Sequence, residues 1–351
     1  MKKIIILLIL LANSVNAAGL RNNLKRYTFL RDTTIVTKGL TNKRYEQYFD
    51  IDLQVSSGVK DLVADIKNKG DEEGATQLQK ELNILEILNK NMNSERYVDL
   101  DATLAIPLPS FNLYNYRLTP AIFYNLNLST LFTIYNQTSS FDPSVSVYIK
   151  KETKLGVSTI ITKSGHTDTF IKLNLYKLGR SDTDLTKTKT ELAESSKIFN
   201  FSDLDESNET YSMDLIWKRE NHKRLWKAEV LEAKLLTSQS KADFSYDNAP
   251  LFHFFHQWKS EVKRVWLEPF AGVHMRKRYS LFDGLYLGTR LKFQELPFSS
   301  SVSLSNQFLT FIPEFKMGHF YLNYKMKMAY INPQKDIWVP TVHSFNLGLN
   351  F

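Results

Sequence analysis

Val342-His343-Ser344-Phe345-Asn346-Leu347-Gly348-Leu349-Asn350-Phe351 ends the sequence, and its reading decides the fold. From Phe345 onward apolar and polar residues alternate without a break. Phe345, Leu347, Leu349 and Phe351 fall on one face; Ser344, Asn346, Gly348 and Asn350 fall on the other. Side chains leave a strand on opposite faces with period 2, so this is a strand with one apolar and one polar side. Two architectures use such strands. One is a transmembrane β-barrel, with lipid outside and water inside; the other is a soluble two-sheet sandwich.

Working backwards, the same alternation recurs. It predicts strands over residues 26–36, 45–55, 98–106, 122–134, 145–150, 155–161 (after a turn near Thr153), 171–176, 211–218, 265–276, 284–293, 302–308 and 320–330. Residues 225–236 are read as a further strand, although Lys227-Ala228-Glu229 and Glu232-Ala233-Lys234 are also good helix formers. The count is about fourteen, within a range of about 12–16. Many of the strands run to about ten residues, the length a tilted transmembrane strand needs. Residues 58–93 depart from this period. Leu62, Val63 and Ile66, a break at 71–74, and Leu78, Leu82, Leu85 and Leu88 follow a helical stripe. This insertion reads as a packing element, either a plug in or under the lumen or a periplasmic docking element. The polar segment 179–209 reads as a long loop with a short helical turn around 191–197.

Loop lengths argue for the barrel. Counting back from a periplasmic C-terminus puts the connections at 107–118, 179–209, 237–261 and 331–341 on the outer side. The turns at 137–142, 164–167, 220–223 and 316–318 fall on the inner side. Long outer loops and short inner turns are the barrel pattern; the insertion at 58–93 is the exception, falling on the periplasmic side. The apolar face repeatedly ends in aromatics (Tyr124, Tyr211, Trp217, Phe293, Tyr330, Phe351), as interface girdles do. A sandwich core favours compact aliphatics instead. The expected fold class is therefore all-β: an antiparallel transmembrane β-barrel with one N-terminal amphipathic helical insertion.

Composition agrees with this. The 351 residues include no cysteine, which removes disulfides, thiolate zinc sites and a thiol nucleophile. A mean hydropathy of -0.30 is too low for a helical membrane protein, while barrels dilute their apolar residues with polar ones. The charge is +8 and the pI near 9.2, but no Lys/Arg run forms a nucleic-acid arm. Met1-Lys2-Lys3, the apolar stretch Ile4 to Ala12, and Val15-Asn16-Ala17 make a secretory signal peptide over 1–17, cleaved after Ala17. Residues 18–351 then form the barrel.

The polar faces supply the candidate functional residues. Asp99, Asp101, Lys150, Lys172, Asp214, Lys218, Glu268, His274, Arg276, Arg290, Lys292, Lys325 and Lys327 are expected to face the lumen. Lys and Arg dominate, above all after residue 270, which predicts either a basic channel for small anionic solutes or a ladder of inward ion pairs. Asp99 and Asp101 share a strand face at i, i+2, as carboxylates that activate a water would. An omptin-like protease would also need an Asp-x-His pair, and a phospholipase a Ser–His pair. His274, His319 and His343 have no such serine nearby in sequence, so no enzyme is expected. His253-x-x-His256 reads as part of an aromatic patch with Trp258 rather than a metal site. No cofactor is expected.

The signal peptide, the repeated strands and the ending Phe345, Leu347, Leu349, Phe351 together resemble Gram-negative outer-membrane β-barrels. That resemblance implies that the ending is an assembly signal for the barrel-assembly machinery. It also implies an outer-membrane location among lipid and lipopolysaccharide. In finer detail, the order of two strands, a leucine-rich helix and a strand into Pro107 is similar to fourteen-stranded FadL-type and TraF-like barrels. The Asn-Pro-Ala motif of FadL transporters is absent, so no residue roles are carried over. The functional expectation is a passive channel or transporter, with a structural or envelope-interaction barrel as the alternative and an outer-membrane hydrolase as the second.

Overall fold

The computed structural model describes residues 23–38, 47–136, 143–165, 168–195, 198, 204, 208–239, 249–331 and 337–350. The expected signal peptide, with its cleavage point at Ala17, and the terminal Phe351 lie outside them. Fourteen strands are described: β1 (Gln47–Ser56), β2 (Ser94–Pro107, resumed at Phe111–Leu113), β3 (Tyr116–Asn136), β4 (Pro143–Lys163), β5 (Thr169–Lys187), β6 (Asn208–Glu220), β7 (Arg224–Gln239), β8 (Leu251–Trp258, resumed at Ser260–Val262), β9 (Val265–Met275), β10 (Leu285–Phe293), β11 (Phe298–Ser305), β12 (Phe308–Met317), β13 (Phe320–Ala329) and β14 (Val342–Asn350). Each pairs antiparallel with its sequence neighbours. β1 pairs with both β2 and β14, placing Phe49 beside Leu104 and Leu349, so the sheet closes on itself.

Closure leaves one face outward on every strand, and that face is apolar. Leu53, Leu104, Ile122, Leu155, Ile171, Leu215, Leu236, Phe252, Leu267, Leu287, Val302, Phe311, Leu322 and Leu347, one from each strand, are all exposed. A soluble sandwich would bury these side chains at about 25 cal/mol per Å² of apolar surface. A continuous apolar ring is the lipid-facing surface of a transmembrane barrel. Tyr124, Tyr211 and Tyr330 stand exposed on the same face.

The rim where β14 finishes is termed the terminal rim, and its opposite the far rim. Connections at the terminal rim are short, at 114–115, 164–168, 221–223, 263–264, 294–297 and 318–319. The far rim carries 57–93, 137–142, 188–207, 240–250, 276–284, 306–307 and 330–341. The insertion thus shares a rim with the other long connections, contrary to the sequence count. The physical reason is β4. Residues 145–150 and 155–161 form one 21-residue strand, unbroken at Thr153, so all connections before it change sides. The strand predicted to end at Pro107 continues to Leu113 and turns at the terminal rim. Residues 302–308 belong to two strands that turn at Asn306 and Gln307.

β3 and β4, at 21 residues, and β5, at 19, exceed a membrane-spanning length and project past the far rim. Exposed Lys151 and Lys177 stand on the outer face where the apolar band stops. Beyond them the outer face becomes apolar again, at Phe132, Ile134, Val145, Val147 and Ile149. Here it is covered by α2 (Val59–Gly70), α3 (Gln77–Lys90) and α4 (Lys189–Glu194), through Leu62, Ile66, Ile84, Leu88 and Leu192. The helices replace lipid on the projecting fin, as their apolar stripe demands. Thr188 caps α4 reciprocally with Glu191, whose carboxyl is held below its ordinary value by the Thr188 backbone N–H.

The largest departure from expectation lies inside. Residues 26–36, read as the first strand, belong to helix α1 (Asn23–Lys38), which descends into the lumen. Leu24, Tyr27, Phe29 and Leu30 pack near the far rim against Tyr97, Leu131, Tyr148, Tyr279 and Phe308. Val36 packs deeper, against Ile216, Leu225, Leu231, Phe255, Phe270 and Tyr286. Every face of α1 meets wall, so it carries no single apolar stripe, and its β-branched threonines look strand-like. Thr28, Thr33 and Thr34 satisfy their hydroxyls by donating to the carbonyls of Leu24, Phe29 and Leu30 at 2.7, 2.8 and 3.0 Å. The plug is therefore α1, while 58–93 is a rim element.

Candidate functional site

Two polar clamps hold α1. Near the far rim, Arg26 Nε reaches Glu95 at 2.9 Å, and Arg26 also donates to Gln307. At mid-depth Arg31 and Asp32 enter a larger cluster. Arg31 donates to Glu152 at 2.8 Å and to both carboxylate oxygens of Glu232. Arg180 bridges the same two glutamates at 2.8 and 3.0 Å, and Lys154 reaches Glu232 at 2.8 Å. Arg276 joins Asp32 at 2.8 Å to Glu232 at 2.9 Å, and Tyr279 donates to Asp32 at 2.9 Å. Groups this buried stay charged only when each charge is met by an opposite one.

The expected lumen residues divide into two groups. The first is spread along the wall, from this cluster to the terminal rim. Lys150 meets Glu152 at 2.7 Å and Lys218 meets Glu220 at 2.7 Å. Arg290 meets Glu314 at 2.7 Å, and Glu268 accepts from Gln257 at 2.7 Å. His274 shares a 2.7 Å hydrogen bond with Tyr279 and stacks on Phe29. Lys327 lies 5.1 Å over the Phe308 ring, Lys325 is buried, and Lys292 is exposed near the terminal rim. The second group, Asp99, Asp101, Lys172 and Asp214, lines a cavity of about 320 Å³ between α1 and the wall from β1 to β7. That lining includes Asp50, Asp99, Asp101, Glu152, Asp214 and Glu229 against Arg31, Lys154, Lys172 and Lys227. Six carboxylates face four cations, so the expected basic lining is not found in this cavity. The basic candidates after residue 270 lie outside this cavity.

The enzyme candidates separate as well. Asp99 and Asp101 each accept from an asparagine, Asn127 at 2.9 Å and Asn125 at 3.3 Å. His253 points inward to Glu229 and Tyr286, whereas His256 points outward, stacked on Trp226 and edge-on to Trp258. Three residues apart on a strand, the two histidines occupy opposite sides of the wall. His343, judged to lack a serine, has one: Ser57 Oγ lies 3.0 Å from its Nε2. The 286-residue separation hid the pair from sequence reading. Arg26, Arg31 and Asp32 were missed because they sat in a presumed strand, Arg180 because it opened a presumed loop.

No family model matches the chain, and no curated protein matches it. Among solved structures, CdiB from Acinetobacter baumannii is 12% identical, with 87% of this chain and 60% of that one covered and a TM-score of 0.38. The transport unit of the autotransporter AIDA-I from Escherichia coli is 10% identical, with 94% and 99% covered and a TM-score of 0.38. A mutant of the Rh. blastica porin is 8% identical, with 87% and 99% covered and a TM-score of 0.32. The chain spans about 60% of the length of the first CdiB structure. At such scores the likenesses assign no activity; the barrel is read from its own strand pairing.

Proposed function

We propose that this protein is an outer-membrane barrel forming a gated passage for small hydrophilic solutes, with α1 as the gate. The observation that carries the proposal is the nature of the contacts holding α1. Beside two apolar clusters, ion pairs and hydrogen bonds tie α1 to the wall, so withdrawing the helix would bare charged and polar wall positions that water can wet. The far rim faces the cell exterior in this reading, and Phe345, Leu347 and Leu349 serve the assembly machinery from the outer face. Anion preference is not part of the proposal, because the cavity lining carries more carboxylates than cations.

Planar-bilayer conductance tests it. The wild-type barrel is expected to be closed most of the time. Replacing both Arg31 and Asp32 by Ala, which removes the mid-depth clamp, is expected to produce long-lived open events. A folded double variant that stays silent would favour a sealed structural barrel.

A further inference from the structure

On the outer face, where β1, β13 and β14 reach the far rim, three side chains form a chain. Ser57 Oγ lies 3.0 Å from His343 Nε2, and His343 Nδ1 lies 2.5 Å from Tyr324 Oη. With a proton on Nδ1 donated to Tyr324, Nε2 is left as the acceptor for the Ser57 hydroxyl; Thr341 O, at 3.2 Å, is that hydroxyl's other acceptor. A nucleophile bonded to a base that is itself oriented by a third group is the arrangement of an activated serine. The backbone around Ser57 adds to this. The chain passes from β1 through Ser57 to Gly58, at φ +76°, and directly into α2. A serine on a strand-to-helix turn stands clear of the sheet, beside first-turn N–H groups that have no intrahelical partner.

A fourth group supplies independent support. Arg96, on the outer face of β2, is buried, and its Nε has no hydrogen-bond partner. The guanidinium borders Gly58: a Cβ built there would lie 3.7 Å from one terminal nitrogen and 3.9 Å from Nε. A buried N–H donor left without an acceptor is destabilising, and an oxyanion developing beside Ser57 would satisfy it. Ser57, His343 and Tyr324 are all half-buried. Tyr324 pairs with Phe345, His343 with Val55, and Ser57 follows the last β1 pair, so the three run along the outer face towards the far rim.

We propose that Ser57, His343 and Tyr324 form a serine esterase site that cleaves carboxylic esters of membrane amphiphiles. Ser57 Oγ attacks the ester carbonyl and its proton passes to His343 Nε2. The bond to the leaving alcohol breaks as His343 returns that proton to the alcohol oxygen. Water, deprotonated by His343, then releases the carboxylic acid and restores Ser57. Arg96 receives the carbonyl oxygen as it becomes negative. Tyr324 is a positioning residue that fixes the histidine tautomer.

The test uses the full barrel, refolded in phospholipid vesicles and checked by heat-modifiable gel migration. Its probes are a fluorescent fluorophosphonate and p-nitrophenyl butyrate. Wild-type protein is expected to take up one label and to hydrolyse the ester. Ser57→Ala is expected to abolish labelling, and His343→Gln to lower the rate by about 10²–10⁴-fold. Tyr324→Phe is expected to lower kcat and displace the pH profile while leaving KM unchanged. A folded wild-type barrel that takes no label, or labelling that survives Ser57→Ala, overturns the proposal.

Discussion

Glu232 has a backbone φ of +57° at a bulge in β7, where the register against β6 slips between Met213 and Leu215. The bulge turns both Leu231 and Glu232 inward. Asp214 accepts the freed Glu232 N–H at 2.8 Å. A glutamate thus reaches the centre of the lumen, where Arg31, Lys154, Arg180 and Arg276 converge on it. The same bulge explains why residues 225–236 read ambiguously: an extra residue breaks the alternation that marks a strand. Glu232→Gln leaves those cations with too few carboxylates and should cost about 3–5 kcal/mol. Urea unfolding in vesicles would show it as a lowered midpoint. Gly348 shows a different restraint, because a Cβ there would meet Tyr321 Oη at 2.0 Å. The ring lies across the strand to reach Asp50. Gly348→Ala should therefore reduce the heat-modifiable fraction, and adding Tyr321→Ala should restore part of it. In sequence Gly348 registered only as a polar-face position, since the ring that needs it lies on β13.

At the scale of elements, legibility followed the number of faces an element buries. α2 and α3 bury one face each, so their leucine stripe and the break at 71–74 were readable. α1 buries all its faces in a lumen that is part polar and part aromatic, so neither helical nor strand period stood out. β4 reads as two strands with a turn near Thr153, because the run Lys150, Lys151, Glu152 and Lys154 interrupts the apolar alternation. Lys150, Glu152 and Lys154 instead belong to the interior cluster. The Ser57–His343 pair was illegible for want of register, as β1 and β14 meet only through closure. The helical cover over β3 and β4 leads to a prediction about stability. Ile84→Ala and Leu88→Ala each remove a fully buried side chain from that cover and should cost about 2–5 kcal/mol locally. Limited proteolysis should then cut within 57–93 while the barrel keeps its heat-modifiable migration. Loss of that migration would mean that the insertion supports the barrel itself.

Over the whole molecule, the alternation of the final strand was a sound guide because closure repeats one constraint fourteen times. Each strand must give one face to lipid and the other to the interior, so errors in individual boundaries did not change the class. Sequence could not say what fills the ring, since that depends on which strand each inward charge faces. The central claim is that lipid surrounds the wall and α1 occupies its interior. The absence of cysteine makes single-cysteine spin labelling direct. Nitroxides placed one at a time through 285–293 and at 27–30 and 33, away from the Arg31–Asp32 clamp, can be read in vesicles by collision with oxygen and with a water-soluble nickel complex. The account predicts oxygen access with period 2 at Leu285, Leu287 and Leu291, and immobile labels shielded from both reagents along α1. Mobile labels on α1 that collide freely with the nickel complex would contradict it.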